Sequence, residues 1–312
     1  MMSGIRIPTI DLLDPDRKCL IEACRHWGIF QLAGHAVPAA SIAELRQASQ
    51  RLFALSTAEK QTIVRSRDNP WGYFDQELTK NVPDWKEIFD VGPAYGTSIP
   101  QWPIELPDFR QALETYTAEV HALALQVLGL IVDGLGMHGN EIIKAFDNHT
   151  SFLRLNHYPR CPDPADPDSP TVPISGRLGI GHHTDAGALT ILDQADVPGL
   201  QVLHDGVWHL VPPEPGTFTI NIGDVVQVWS NDDYPAPLHR VIANQRLERY
   251  STAYFLNPPA DFTYAPAQTA IVQSSPRYRP ILWNEFRERR AAGDFANYGQ
   301  EVQISDYRLT GD

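Results

Sequence analysis

The chain has 312 residues, 43% of them apolar and 20% charged, ordinary for a globular protein and enough to bury one large core or two medium ones. Its 25 Lys and Arg against 38 Asp and Glu give a formal charge of −13, so no basic field attracts phosphates and no nucleic-acid partner is expected. No bilayer-spanning apolar stretch or secretory signal is apparent, and three scattered cysteines suit neither a disulfide framework nor a thiolate metal site, so a cytoplasmic protein with a small-molecule partner and no membrane partner is expected.

In chain order, "IRIPTIDL" reads as a short opening strand. "DRKCLIEACRHWGIF" and "PAASIAELRQASQRLFAL" carry apolar residues at helical spacing, and "STAEK" starts a short helix with Ser56 and Glu59 as a capping box. Residues 62–107, rich in Pro, Gly and Trp, read as loops with short strands. "PDFRQALETYTAEVHALALQVLGLIVDGLGM" is the longest helical pattern, closing near Gly134 and Gly136, and is expected to be a central helix under a sheet. Beyond residue 150 come short β-branched and aromatic runs with turn residues between them: "SFLRLNHY", "ALTILD", "GLQVLH", "VWHLVP", "TFTINI", "VVQVWS", "LHRVIAN" and "RYSTAYFL". That texture predicts a β-sandwich or barrel, with a tight hairpin at Asp205-Gly206. Residues 160–176 read as a polar loop and "LWNEFRERRAAG" as a late helix. The expected class is α+β, with helices packed on a β-sandwich or jelly roll. Residues 1–105 form a mixed N-terminal region, and 106–312 the central helix, β core and C-terminal helix, together one compact unit.

The chemistry concentrates in "GHHTDAGALTIL". In an extended strand, side chains at i and i+2 share a face about 7 Å apart, so His183 and Asp185 converge while His182 turns away. His239, opening the alternating run "HRVIAN", is the candidate third ligand. Two imidazoles and one carboxylate on one side of an ion leave the opposite positions open, the arrangement of non-haem Fe(II) oxygenases. Downstream, Arg249, Ser251, Ala253, Phe255 and Asn257 share one strand face. A buried arginine needs an anion, and its planar fork matches a carboxylate. A small dicarboxylate spanning metal and arginine accounts for both halves.

The ordered set "NHYPRCP", "GHHTDAGALTIL", "GLQVL", "NIGDVVQVWSN", "LHRVIAN" and "RYSTAYFLNPP", preceded by "IPTIDL", "HWGIFQLAGHAVP" and "DWKEIFDVG", resembles the 2-oxoglutarate-dependent Fe(II) oxygenases of the isopenicillin N synthase-like group, in particular the plant-type flavonoid and gibberellin oxidases. The resemblance covers nearly the whole chain. It implies a double-stranded β-helix, or jelly-roll, core with packed N-terminal and central helices. It also implies His183, Asp185 and His239 as iron ligands, and Arg249 and Ser251 as the pair on the distal carboxylate of 2-oxoglutarate. Asn156 and Tyr158 match the family's N-x-Y beside the cosubstrate. His157 stands where Tyr is usual but points the other way, and Gly34-His35-Ala36 departs from the family's Asn-His-Gly only in a turn. The implied reaction consumes dioxygen and 2-oxoglutarate, releases succinate and CO2, and oxidises a small, largely hydrophobic molecule by hydroxylation, desaturation or ring closure.

For that substrate a flavanone-like aromatic compound is the first expectation. Phe255 and Asn257 continue the Arg249 face toward it. Arg154 either meets an anionic or phenolic oxygen of the ligand or pairs with a carboxylate, and Ile88, Phe89 and Asp90 lie near the pocket mouth. Two alternatives remain open: an oxidase like isopenicillin N synthase that dispenses with 2-oxoglutarate, and a jelly-roll protein that binds without catalysis or holds zinc for hydrolysis. Succinate formation separates the first. The second is disfavoured by three intact ligands and by the lack of an obvious general base.

Overall fold

Residues 7–169, 175–294 and 302–309 are described by the computed structural model. It opens with β1 (Thr9–Asp11), α1 (Arg17–His26), β2 (Ile29–Ala33), α2 (Ala39–Phe53) and α3 (Thr57–Gln61). Short strands β3 (Gly72–Phe74), β4 (Leu78–Thr79), β5 (Val82–Pro83) and β6 (Glu87–Val91) precede α4 (Phe109–Gly134) and α5 (Gly139–Ala145). The β-rich part holds β7 (Phe152–Tyr158), β8 (Leu178–His183), β9 (Leu189–Asp193), β10 (Leu200–His204), β11 (Val207–Leu210), β12 (Phe218–Ile222), α6 (Asp224–Trp229), β13 (His239–Ile242) and β14 (Arg249–Leu256). Then come β15 (Thr263–Tyr264), β16 (Ile281–Leu282), α7 (Trp283–Asp294) and a 3-10 turn, Ile304–Tyr307.

Local chemistry accounts for most boundaries. The Asp16 carboxylate accepts from the N–H groups of Lys18 and Cys19 and starts α1. The Ser56–Glu59 capping box forms as expected. The Asp205-Gly206 turn has φ of 48° and 75°, the left-handed pair that a two-residue hairpin between β10 and β11 requires.

Three expectations are corrected. The run "DRKCLIEACRHWGIF" is not one helix, because Gly28 at φ 64° ends it and Ile29–Ala33 become β2, paired with β1 and β12. A Cβ at Gly28 would lie 2.2 Å from the Pro235 carbonyl, so glycine is required there. "VVQVWS" is not a strand but the buried helix α6. A run this short and mostly apolar has no period to separate the two, and Gly223-Asp224 supplies the helix start. Finally, α4 is long and apolar enough to cross a membrane by length and composition, which the sequence was not expected to contain. In the fold its residues Leu113, Tyr116, Val120, Val127, Leu128 and Ile131 are buried, against β9, β14, α1, α2 and α5. Residues 170–174 of the expected polar loop lie outside the described residues.

The core is a double-stranded β-helix. Its larger sheet has strand order β1-β2-β12-β9-β14-β7-β6-β3, and its smaller one β11-β10-β13-β8. Strand alternation divides β14 into two faces. Tyr254 turns to α4, where its hydroxyl lies 2.7 Å from Nδ1 of His121. Arg249, Ser251, Ala253 and Phe255 turn inward and line a cavity of about 790 Å³ that both sheets enclose.

Candidate active site

Antiparallel pairing of β8 with β13 sets His183 directly opposite His239, with ring centroids 4.2 Å apart. Asp185 arrives by a route the strand argument did not foresee. β8 ends at His183, and Asp185 lies in the irregular stretch beyond it, where its carbonyl accepts from the Asp224 N–H at 2.8 Å. Its Oδ1 still lies 3.6 Å from Nε2 of each histidine. The three candidate ligand atoms all fall within 4.8 Å of one another.

Each imidazole turns Nδ1 to a backbone carbonyl, His183 to Gly181 at 2.9 Å and His239 to Pro237 at 3.0 Å. With Nδ1–H donating, Nε2 keeps its lone pair for a metal. Burial, with His239 alongside, lowers the His183 pKa to about 3, so this ring is neutral across the physiological range. Burial alone would raise Asp185, but His239 and His183, with hydrogen bonds from Thr190 and Asn221, outweigh it and hold the carboxyl below its ordinary value. The donor set is thus two imidazole nitrogens and one carboxylate, which fits Fe(II).

Oδ2 of Asp185 is committed to Thr190 Oγ1 at 2.7 Å and Asn221 Nδ2 at 3.3 Å, which aims Oδ1 at the histidines. Sequence reasoning missed both supports, although Asn221, a polar residue in the wholly buried β12, was the available signal. Thr190→Val is expected to weaken Fe(II) binding by about 10- to 100-fold with the fold intact, as losing such an outer partner does. Competition against a coloured chelator measures it.

At the other end of the cavity, β14 and β7 pair Arg249 with Tyr158 and Ser251 with Asn156. Arg249 is buried. Its Nε donates to Val197 O at 3.1 Å and its Nη1 to Ser251 Oγ at 3.2 Å, while Nη2 has no hydrogen-bond partner. Its guanidinium lies 4.8 Å from the Tyr158 ring centroid. Burial lowers the Arg249 pKa, with Tyr158 and Asp193 acting the other way. No described carboxylate forms an ion pair with it. A buried cation with a spare donor is costly without an anion, so the residues fit the distal carboxylate of 2-oxoglutarate.

The remaining expectations fall into two groups. Phe255 stacks on Phe152 at 4.8 Å, Phe152 lies 5.9 Å from Trp71, and all three line the cavity. Asn257 lines it too, its Nδ2 donating to Thr150 O at 3.3 Å. His182 and His157 do not line it, as strand alternation requires; His157 stacks on Tyr250 at 4.6 Å. Ile88 and Phe89 are core residues, whereas Asp90 reaches the cavity.

Arg154 meets carboxylates of the protein itself. Its Nε and Nη2 bind Asp90 at 2.7 Å each, and its Nη1 binds Glu77 at 2.9 Å. Glu77 also takes Lys86 at 2.8 Å and Arg65 at 3.2 Å, and Lys86 lies 3.4 Å from Asp84. Burial pushes Asp84 up to about 6 against the pull of Lys86. Nothing in the local sequence announced this buried network, because β6, β7 and the loops before β6 bring its members together from separate stretches.

Comparison with known proteins agrees with the geometry. Residues 149–258 match the 2OG-Fe(II) oxygenase superfamily model, and residues 7–109 match that of the non-haem dioxygenase in morphine synthesis N-terminal region. Gibberellin 3-beta-dioxygenase 1 of Pisum sativum is 34% identical over 300 residues, covering 93% of this chain and 78% of the relative. The chain belongs to the 2OG-Fe(II) oxygenase superfamily. Within it, flavanone 3-dioxygenase 2 of Oryza sativa subsp. japonica is 33% identical, covering 93% of this chain and 84% of the relative. The crystal structure of JOX2 in complex with 2OG, Fe and JA superposes with a TM-score of 0.83 at 29% identity, covering 99% of this chain and 90% of that one. The protein is a plant-type 2-oxoglutarate-dependent dioxygenase whose cofactor and cosubstrate are Fe(II) and 2-oxoglutarate.

Proposed function

We propose that His183, Asp185 and His239 hold the Fe(II), that Arg249, Ser251, Asn156 and Tyr158 hold 2-oxoglutarate, and that Phe255 and Asn257 face a small, largely hydrophobic substrate. The observation that carries this reading is a single cavity with the His, His, carboxylate set at one place and the spare Nη2 of buried Arg249 at another. Bound there, Fe(II) supplies the activation of dioxygen that couples decarboxylation of 2-oxoglutarate to oxidation of the substrate.

The chain's own part is positioning and exclusion of water. Arg249 and Ser251 hold one end of the cosubstrate, and Leu192, Leu200 and Val241 wall it from solvent. Trp71, Phe152 and Phe255 offer aromatic surface to a ring-bearing substrate of the flavonoid or gibberellin class on which the named relatives act. Arg154, saturated by Asp90 and Glu77, shapes that wall.

Turnover is tested by CO2 release from carboxyl-labelled 2-oxoglutarate. The expected result is release that requires added Fe(II) and rises with a ring-bearing hydrophobic substrate, one succinate appearing per oxidised product. Substrate oxidation without succinate would contradict the reading and favour the 2-oxoglutarate-independent alternative.

A further inference from the structure

We propose that the cavity accepts a substrate bearing a carboxylate on an apolar body, and that Arg287 on α7 receives the carboxylate. This rests on the reading of the iron and 2-oxoglutarate sites above.

The cations around the cavity decide the matter. Arg154 and Lys86 are matched by Glu77, Asp84 and Asp90, and Arg290 by Asp224 at 3.1 Å. Arg67 has interactions of its own, and Arg249 is reserved for the cosubstrate. Arg287 alone among these lining cations makes no hydrogen bond or ion pair with any described residue. The carboxylates that act on it electrostatically are Asp90 and Glu288. Asp90 is already held by Arg154 and Arg65, and the exposed Glu288 accepts from Asn284 at 2.7 Å.

Arg287 is also placed to meet a ligand. Trp283, Asn284, Arg287, Glu288, Arg290 and Ala291 of α7 line the cavity. At about 100° per residue, Arg287 falls near the middle of the arc they span. The helix is tied at both sides of it. Trp283 Nε1 donates to Thr150 Oγ1 at 2.8 Å, and Arg290 Nη2 to the carbonyl of Thr184, the residue before Asp185, at 2.7 Å. The turn of α7 that carries Arg287 is therefore held relative to the metal site. It is half-buried, and burial lowers its pKa, a desolvation that a bound anion would offset.

The competing reading is an arginine simply solvated at the mouth. Against it stand its position in mid-arc and its surroundings, since the cavity also carries the aromatic faces of Trp71, Phe152 and Phe255. A wholly apolar or neutral substrate would leave that guanidinium uncompensated. A carboxylate meets its planar fork with two parallel hydrogen bonds.

The test is anaerobic calorimetry on the holoenzyme with Fe(II) and 2-oxoglutarate. The probes are 1-naphthaleneacetate, indole-3-acetate and trans-cinnamate, their methyl esters, and neutral flavanone. The visible band of the 2-oxoglutarate chelate is recorded first. The expected result is that at least one acid binds roughly tenfold or more tightly than its ester and than flavanone. Arg287→Gln should remove that preference and Arg287→Lys restore part of it. Arg289→Gln, at an exposed position paired with Glu285, should bind as the parent does. Equal binding of acids and esters, flavanone binding as well as the acids, no acid binding, or full acid preference in Arg287→Gln would each overturn the proposal while the band is present. Absence of the band in the parent would instead overturn the site reading, and the proposal with it.

Discussion

Replacing His183 by Ala should abolish Fe(II) binding at micromolar metal and with it turnover, whereas His182→Ala should retain both. The two residues are neighbours with nearly the same local sequence, so the contrast depends on geometry alone. His183 faces the cavity, holds Nδ1 on the Gly181 carbonyl and presents Nε2 3.6 Å from Asp185. His182 does not line the cavity and has a contact elsewhere. Loss of a supporting partner costs roughly 10- to 100-fold in metal affinity, and loss of a ligand itself should exceed that. Measured by metal content after gel filtration, His182→Ala should show lowered thermal stability with iron near one per chain. Equal iron loss in the two variants would mean that the segment is turned differently from the structure.

Arg249→Ala should raise the 2-oxoglutarate requirement by about 30- to 700-fold, with iron affinity within a few fold of the parent. The figure follows from about 2–4 kcal/mol for truncating one member of a buried, hydrogen-bonded charge pair. Arg249 is buried, its Nε and Nη1 are anchored to Val197 and Ser251, and its Nη2 is left over. The fork is thus already oriented and little ordering is needed on binding. Ser251→Ala should act in the same direction and less strongly, since it removes one neutral hydroxyl. A 2-oxoglutarate KM unchanged in Arg249→Ala would place the distal carboxylate elsewhere.

These two sites were legible because each rests on strand periodicity and on residue types with few other uses. Arg249, Ser251, Phe255 and Asn257 read as one face, and all reach the cavity. The pairing of His183 with His239 across two strands could be inferred only from chemistry, because register is set by contacts distant in sequence. Asp185 was found for a reason only half right. The pattern placed it on the strand face of His183, while in the fold it reaches the same point from the irregular stretch after β8, fastened by Asp224 and Thr190. "VVQVWS" was misread because a short, mostly apolar run has the same pattern as buried helix or buried strand. The network of Arg65, Glu77, Asp84, Lys86, Asp90 and Arg154 joins residues from separate stretches. No local pattern encodes such pairing, although so many charges around a pocket-facing strand were a hint.

The central claim is that one cavity holds iron on the His183, Asp185, His239 set and 2-oxoglutarate between that iron and Arg249. Anaerobic titration with Fe(II) and 2-oxoglutarate, followed by the visible charge-transfer band of the chelate, tests both halves at once. The parent protein should develop the band only when both are present. His182→Ala should keep it, His183→Ala should lose it, and Arg249→Ala should reach it only at much higher 2-oxoglutarate. A parent protein without the band, or His183→Ala showing it at the parent's 2-oxoglutarate concentration, would contradict the account.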